Sequence, residues 1–105
     1  MKRILTIGGS DPFAGGGIQT DLKTFEDFGL FGLSALTSIG VLDTNGRFIL
    51  ESIPSELLER QLASIDQMTS LDGIKIGLLN SSEAIMVVQS NALTNFFLIP
   101  FSSFL

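Results

Sequence analysis

The sequence contains no cysteine and no histidine, and among its 105 residues only six are basic against eleven acidic. Without cysteine there are no disulfides and no thiol nucleophile. Without histidine there is no imidazole general base, and the two absences together remove the usual zinc ligands. Any proton transfer falls to Asp, Glu or Lys. A formal net charge of -5 with no basic cluster gives no electrostatic footprint for a phosphate backbone, so nucleic acid is not an expected partner. No uninterrupted apolar stretch approaches the ~20 residues of a membrane-spanning helix, and Ile4 to Ile7 is too short for the apolar region of a signal peptide. The expectation is a cytoplasmic protein without membrane association and with no metal-ligating cluster.

What is present reads as one globular domain: 45% of residues are apolar and 16% charged. Ile4 to Ile7 is an apolar run ended by Gly-Gly, as for a strand buried on both faces. From Ile18 the period becomes helical, with Ile18, Leu22, Phe25 and Phe28 on one side and Gly29 as the stop. Leu33 to Val41 predicts an interior strand. Thr44-Asn45-Gly46 is a hairpin signal before a strand at Phe48 to Ile53. Pro54 opens a helix whose face is Leu58, Leu62 and Ile65. Gly73 to Leu79 predicts another strand, and Asn80, with Glu83 three positions on, caps a third helix carrying Ile85 and Val88 inward. Strands alternating with helices predict an α/β fold with a parallel sheet and right-handed crossovers. Ser90 to Leu105 carries no charged residue.

Five of the eleven glycines fall in the stretch GGSDPFAGGGIQTDLKTF, which begins at Gly8, between the first strand and the first helix. In open α/β sheets ligands lie beyond the carboxyl ends of the strands, where this loop belongs. A glycine cluster there admits close backbone approach to a ligand; it equally serves a tight connection needing glycine for geometry alone. Asp11 and Asp21 shift the balance towards a site, since carboxylates near helix amino termini can accept hydrogen bonds from hydroxyl and ring N–H groups. Two phosphate motifs fail: Gly17 is followed by Ile18-Gln19-Thr20 without the P-loop lysine, and Gly15 to Thr20 lacks the last glycine of the dinucleotide fingerprint.

The run LTIGGSDPFAGGGIQTDLKTFEDFGLFGLSALTSIGVLDTNG, together with DGIKIGLL further on, resembles the opening of the hydroxymethylpyrimidine and phosphomethylpyrimidine kinases and of the related bacterial pyridoxal kinases, in the ribokinase-like superfamily. The resemblance covers roughly residues 3 to 89. It implies a three-layer, ribokinase-like parallel-sheet fold, with residues 1–89 forming the substrate-side half of a kinase domain and 90–105 a divergent tail. It implies an ATP- and Mg-dependent kinase acting on the hydroxymethyl group of a nitrogen heterocycle, in thiamine or vitamin B6 metabolism, and leaves a homodimer open.

By the same resemblance, Gly9 and Asp11 belong to the loop near the substrate, and Gly15, Gly16 and Gly17 begin the first helix beside it. Asp21 is matched to a partner for a substrate hydroxyl, against a solvated helix face. Gly77 and Leu78 match a Gly-Met pair lining the ring pocket. Lys75 is open between a site role and a strand-end charge pointing to solvent. Leu42 stands where pyrimidine kinases carry Glu or Gln, which tilts towards a B6-type ring unless Leu42 is core.

The family's late Gly-Thr-Gly-[Asp/Cys] motif, its anion hole, does not occur in these 105 residues. No catalytic residue is therefore assigned, and the chain alone is expected to be inactive. The charge-free end reads as a shifted frame or truncated gene. Three readings follow: a kinase portion, a small-ligand or partner-binding module, and a poorly folding remnant with an unpaired sheet edge, aggravated by Phe96 to Phe101.

Overall fold

The computed structural model describes residues 1–79, 81–90 and 98–99. The elements run β1 (Arg3–Ser10), α1 (Gly17–Asp27), β2 (Phe31–Leu42), β3 (Phe48–Ser52), α2 (Ser55–Met68), β4 (Gly73–Ile76), α3 (Ser82–Ser90) and β5 (Leu98–Ile99). They form one sheet in the order β3-β2-β1-β4-β5. β1 pairs in parallel with both β2 and β4, and β4 in parallel with β5. The sheet is mixed, because β3 folds back antiparallel to β2 across the Asp43–Arg47 turn. That turn places Gly46 at φ 77 and directs the Asp43 carboxylate onto the amides of Asn45 and Arg47.

Alternation along the inner strands sorts the helices into two outer layers. Leu5, Ile7, Ala35 and Ile74 share a core with Leu58 and Leu62 of α2 and Ala84 and Val88 of α3. Between them, Thr6 and Lys75 reach instead to Asp21 of α1. Successive strand side chains point to opposite faces, so α1 covers one face and α2 with α3 the other. Leu5, Ile7, Leu58, Leu62 and Ile74 are fully buried, and each such aliphatic side chain contributes about 1.5–3 kcal/mol.

Several elements depart from the sequence reading. In α1, Ile18 and Phe25 are buried but Phe28 is exposed. The helix ends there: Gly29 takes φ 71, the Gly29 amide donates to Glu26 and the Leu30 amide to Phe25, a Schellman closure that turns Phe28 outward. In α3 the inward positions are Ala84 and Val88, while Ile85 is exposed. Ser81 fixes that phase, its hydroxyl accepting from the Ala84 amide 3.0 Å away. The expected cap Asn80 lies outside the described residues, as does most of the Phe96–Phe101 segment. β4 stops at Ile76, three residues short of the expected strand end.

Where β3 ends, a side chain continues its ladder. The Ile53 amide donates to the Thr37 carbonyl, and one step on the Gln61 carboxamide of α2 accepts from the Leu36 amide at 2.8 Å and donates to the Leu36 carbonyl at 2.9 Å. Gln61→Ala strips a half-buried strand of both partners and should cost about 1–3 kcal/mol. Urea unfolding measures it, and an unchanged midpoint would show that water replaces the amide.

Candidate functional site

β1 lies between its two parallel neighbours, and the chain leaves it first towards β2 and later towards β4. This makes the carboxyl ends of β1 and β4 a topological switch point, the place where α/β sheets open a crevice. A cleft of about 250 Å³ sits there, lined by Gly8, Gly9, Ser10 and Asp11 from the end of β1, Gly17 and Asp21 from α1, Lys75, Gly77 and Leu78 from β4 and beyond, and Phe48 and Leu50 from β3. Its volume is just below the ~300–1,000 Å³ usual for small-molecule sites and suits a single ring.

The loop into α1 is held by its own side chains. Asp11 accepts from the amides of Phe13 (2.9 Å) and Gly15 (3.0 Å), and its own amide donates to Gln19 Oε1 (2.9 Å). Gln19 Nε2 donates to Ser10 Oγ at 2.7 Å. A side chain at Gly17 would run into the Gly9 carbonyl oxygen. The loop therefore closes tightly onto the end of β1.

Polar chemistry in the cleft centres on Asp21 and Lys75. Lys75 Nζ donates to both Asp21 carboxylate oxygens at 2.7 Å, and Thr6 Oγ1 donates to Oδ2, also at 2.7 Å. The two side chains are 15% and 5% exposed. A carboxylate has about four acceptor directions; three are used here, which leaves one on Oδ1. The pair is thus a fixed dipole in the cleft wall, and Asp21 can still accept one hydrogen bond. Neighbouring Thr37 donates to the Leu78 carbonyl at 2.9 Å, holding the segment after β4 against β2. Ser38 Oγ is buried and has no partner among the described residues.

Of the residues singled out from sequence, Gly9, Asp11, Gly17, Asp21, Gly77 and Leu78 come together around this cleft. Gly15 and Gly16 do not line it: Gly15 serves the Asp11 turn, and Gly16 precedes the first turn of α1. Leu42 does not line it either, being 54% exposed at the far end of β2, opposite Phe48. Its side chain is therefore not core. Lys75 is a buried ion-pair partner and does not point to solvent. Sequence reasoning missed Gly8, Ser10, Phe48 and Leu50. A signal for Lys75 was available: a charge in a strand of a parallel sheet covered on both faces has to find a counterion.

The switch-point cleft, the glycine-lined loop and the embedded ion pair together define an α/β domain with a crevice at the carboxyl ends of its parallel strands. The phosphomethylpyrimidine kinase family model matches residues 11–99, and the chain belongs to that family. It is 41% identical over 88 residues to the hydroxymethylpyrimidine/phosphomethylpyrimidine kinase of Haemophilus influenzae, covering 84% of this chain and 33% of the relative. It is 38% identical over 87 residues to the pyridoxine kinase of Bacillus subtilis, covering 81% and 32%. The crystal structure of phosphomethylpyrimidine kinase from Clostridium difficile superposes with a TM-score of 0.84 at 33% identity, over 95% of this chain and 44% of that one. Pyridoxal kinase from Staphylococcus aureus, in complex with AMP-PCP and pyridoxal, superposes at 0.79 with 32% identity, over 95% and 38%. The chain spans about a third of the length of these curated relatives. The family match ends at residue 99, inside the segment set apart above as the divergent tail.

Among the described residues no helix is long and apolar enough to cross a membrane, and no three His, Cys, Asp or Glu side chains gather into a metal site. A divalent cation at Asp21 would face the Lys75 ammonium. Among the described residues the cleft does not fit a Mg ion.

Proposed function

We propose that this chain supplies the alcohol-binding side of an ATP-dependent phosphotransferase whose substrate is the hydroxymethyl group of a nitrogen heterocycle, a pyridoxal-type or a hydroxymethylpyrimidine ring. The observation that carries the reading is the cleft itself: a single-ring volume with the Asp21–Lys75 pair in its wall. In that wall Asp21 Oδ1 accepts the substrate's hydroxyl proton in a hydrogen bond and orients its oxygen, while Lys75 and Thr6 hold the carboxylate in place. The glycine backbone at Gly8, Gly9 and Gly77 lets a flat ring approach closely. Relatives with both substrate names match at similar identity, and Leu42 gives no geometric preference, so the proposal covers both rings.

Phosphate transfer relies on positioned charge around the moving group, and the described residues provide no such site. The 105 residues by themselves are proposed to bind the heterocycle and not to phosphorylate it. Isothermal titration of the 105-residue chain with pyridoxal and with hydroxymethylpyrimidine, no ATP present, tests this. Saturable one-to-one binding of either, abolished in Asp21→Ala but kept in Leu42→Ala, is the expected result. A folded chain that takes neither ring would end the proposal.

A further inference from the structure

Phe48 is an aromatic residue without a core to pack into. It sits on the edge strand β3, where all five residues are exposed, and is itself 48% exposed. Its ring nevertheless does not project freely. A side chain at Gly40 would overlap Phe48 Cζ, so the ring lies over bare β2 backbone beside the Ser10 carbonyl, a place that glycine keeps open. Phe48 and Leu50, two residues apart and on one face of β3, both line the cleft, while Ile49 between them does not. The Phe13 ring in the glycine-rich loop approaches Phe48 from outside, centroids 6.3 Å apart and planes tilted by 54°. Phe13 is 66% exposed and its amide is tied to Asp11.

From this we infer that Phe48 is the ring-recognition residue of the cleft: its face stacks on a planar heteroaromatic ligand, and Phe13 closes over the edge of that stack. The inference rests on the proposed function and sharpens it, since Asp21 and Lys75 account for a hydroxyl but not for an aromatic ring. A ring laid on Phe48 keeps its polar substituents towards the ion pair and excludes water from the apolar side. A plain edge-strand phenylalanine would instead matter to stability alone.

The test is titration of wild type, Phe48→Leu, Phe48→Ala and Phe13→Ala with pyridoxal and with hydroxymethylpyrimidine, followed by proton NMR of the ligand. Leucine keeps apolar contact but has no π face. An aromatic pair of this kind accounts for up to about a tenfold change in affinity. Phe48→Leu and Phe48→Ala should weaken Kd about five- to tenfold, Phe13→Ala about threefold, and all three should keep the wild-type urea midpoint within error. Ligand ring protons should move upfield on binding wild type and lose that shift in Phe48→Leu. If wild type binds and Phe48→Leu binds equally well with the same ligand shifts, the stacking role is wrong while the proposed function stands. If wild type binds neither ring, both fall.

Discussion

Replacing Asp21 with alanine is expected to lower the unfolding free energy by about 3–5 kcal/mol, the range for removing one partner of a buried ion pair. The loss comes from Lys75. Lys75 lies on β4 between β1 and β5 and is 4% exposed, so without the carboxylate its buried ammonium loses both bonds to Asp21. Asp21 is 15% exposed at the cleft, and water entering there brings the value towards the lower end. Thr6, fully buried, loses its acceptor as well. Asp21→Asn should cost less, because the amide oxygen still accepts. In Asp21→Ala/Lys75→Met the charge is gone and most of the loss should return, since paired apolar replacement is often nearly neutral. Urea unfolding of the four proteins decides it. A loss below about 1 kcal/mol for Asp21→Ala is what an exposed pair would give.

Gly17→Ala is expected to cost about 2–5 kcal/mol, whereas Gly16→Ala one residue earlier should cost under about 1 kcal/mol. Gly17 has φ 68, and a methyl group there overlaps the Gly9 carbonyl oxygen, which is rigid backbone in the cleft wall. Left-handed backbone strain in a residue with a side chain adds about 1–2 kcal/mol. Gly16 has φ -169, ordinary extended backbone, and nothing lies within 4 Å of its added methyl. Gly17→Ala should also weaken heterocycle binding more than tenfold by pushing Gly9 and Asp11 out of place. Thermal unfolding and titration of the two variants give the comparison, and equal losses at both positions would contradict the tight closure of this loop onto β1.

The three consecutive glycines show where sequence reading stops. Their enrichment after a buried strand pointed to the loop that borders the cleft, but the sequence gives Gly15, Gly16 and Gly17 the same weight, and of the three just Gly17 lines it. Local patterns were reliable where the cause is local: the Asn45-Gly46 turn, the Gly29 helix end and the α2 face of Leu58, Leu62 and Ile65. They failed where the cause is a distant partner. Lys75 is explained by a carboxylate 54 positions away and Gln61 by a strand 25 positions away, and no periodicity encodes either. In α3 the inward Val88 was read correctly, but Ala84 and not Ile85 is its inward neighbour, the helix start having been placed on Asn80 where the Ser81 hydroxyl accepts from the Ala84 amide. The antiparallel β3 was legible as a hairpin but not as a cleft wall, since its apolar residues are exposed on both faces and give no alternation.

The central place of β1 governs the order in which this molecule assembles. The first strand made is flanked on one side by a neighbour only a helix away and on the other by β4, whose pairing joins Ile4 to Gly73. Such long-separation closures are the slow steps of folding. Until β4 zips onto β1, Lys75 and Gly77 are remote from Asp21 and Gly9, and no recognition surface exists. The ring binding proposed above therefore requires that β1 and β4 have already paired.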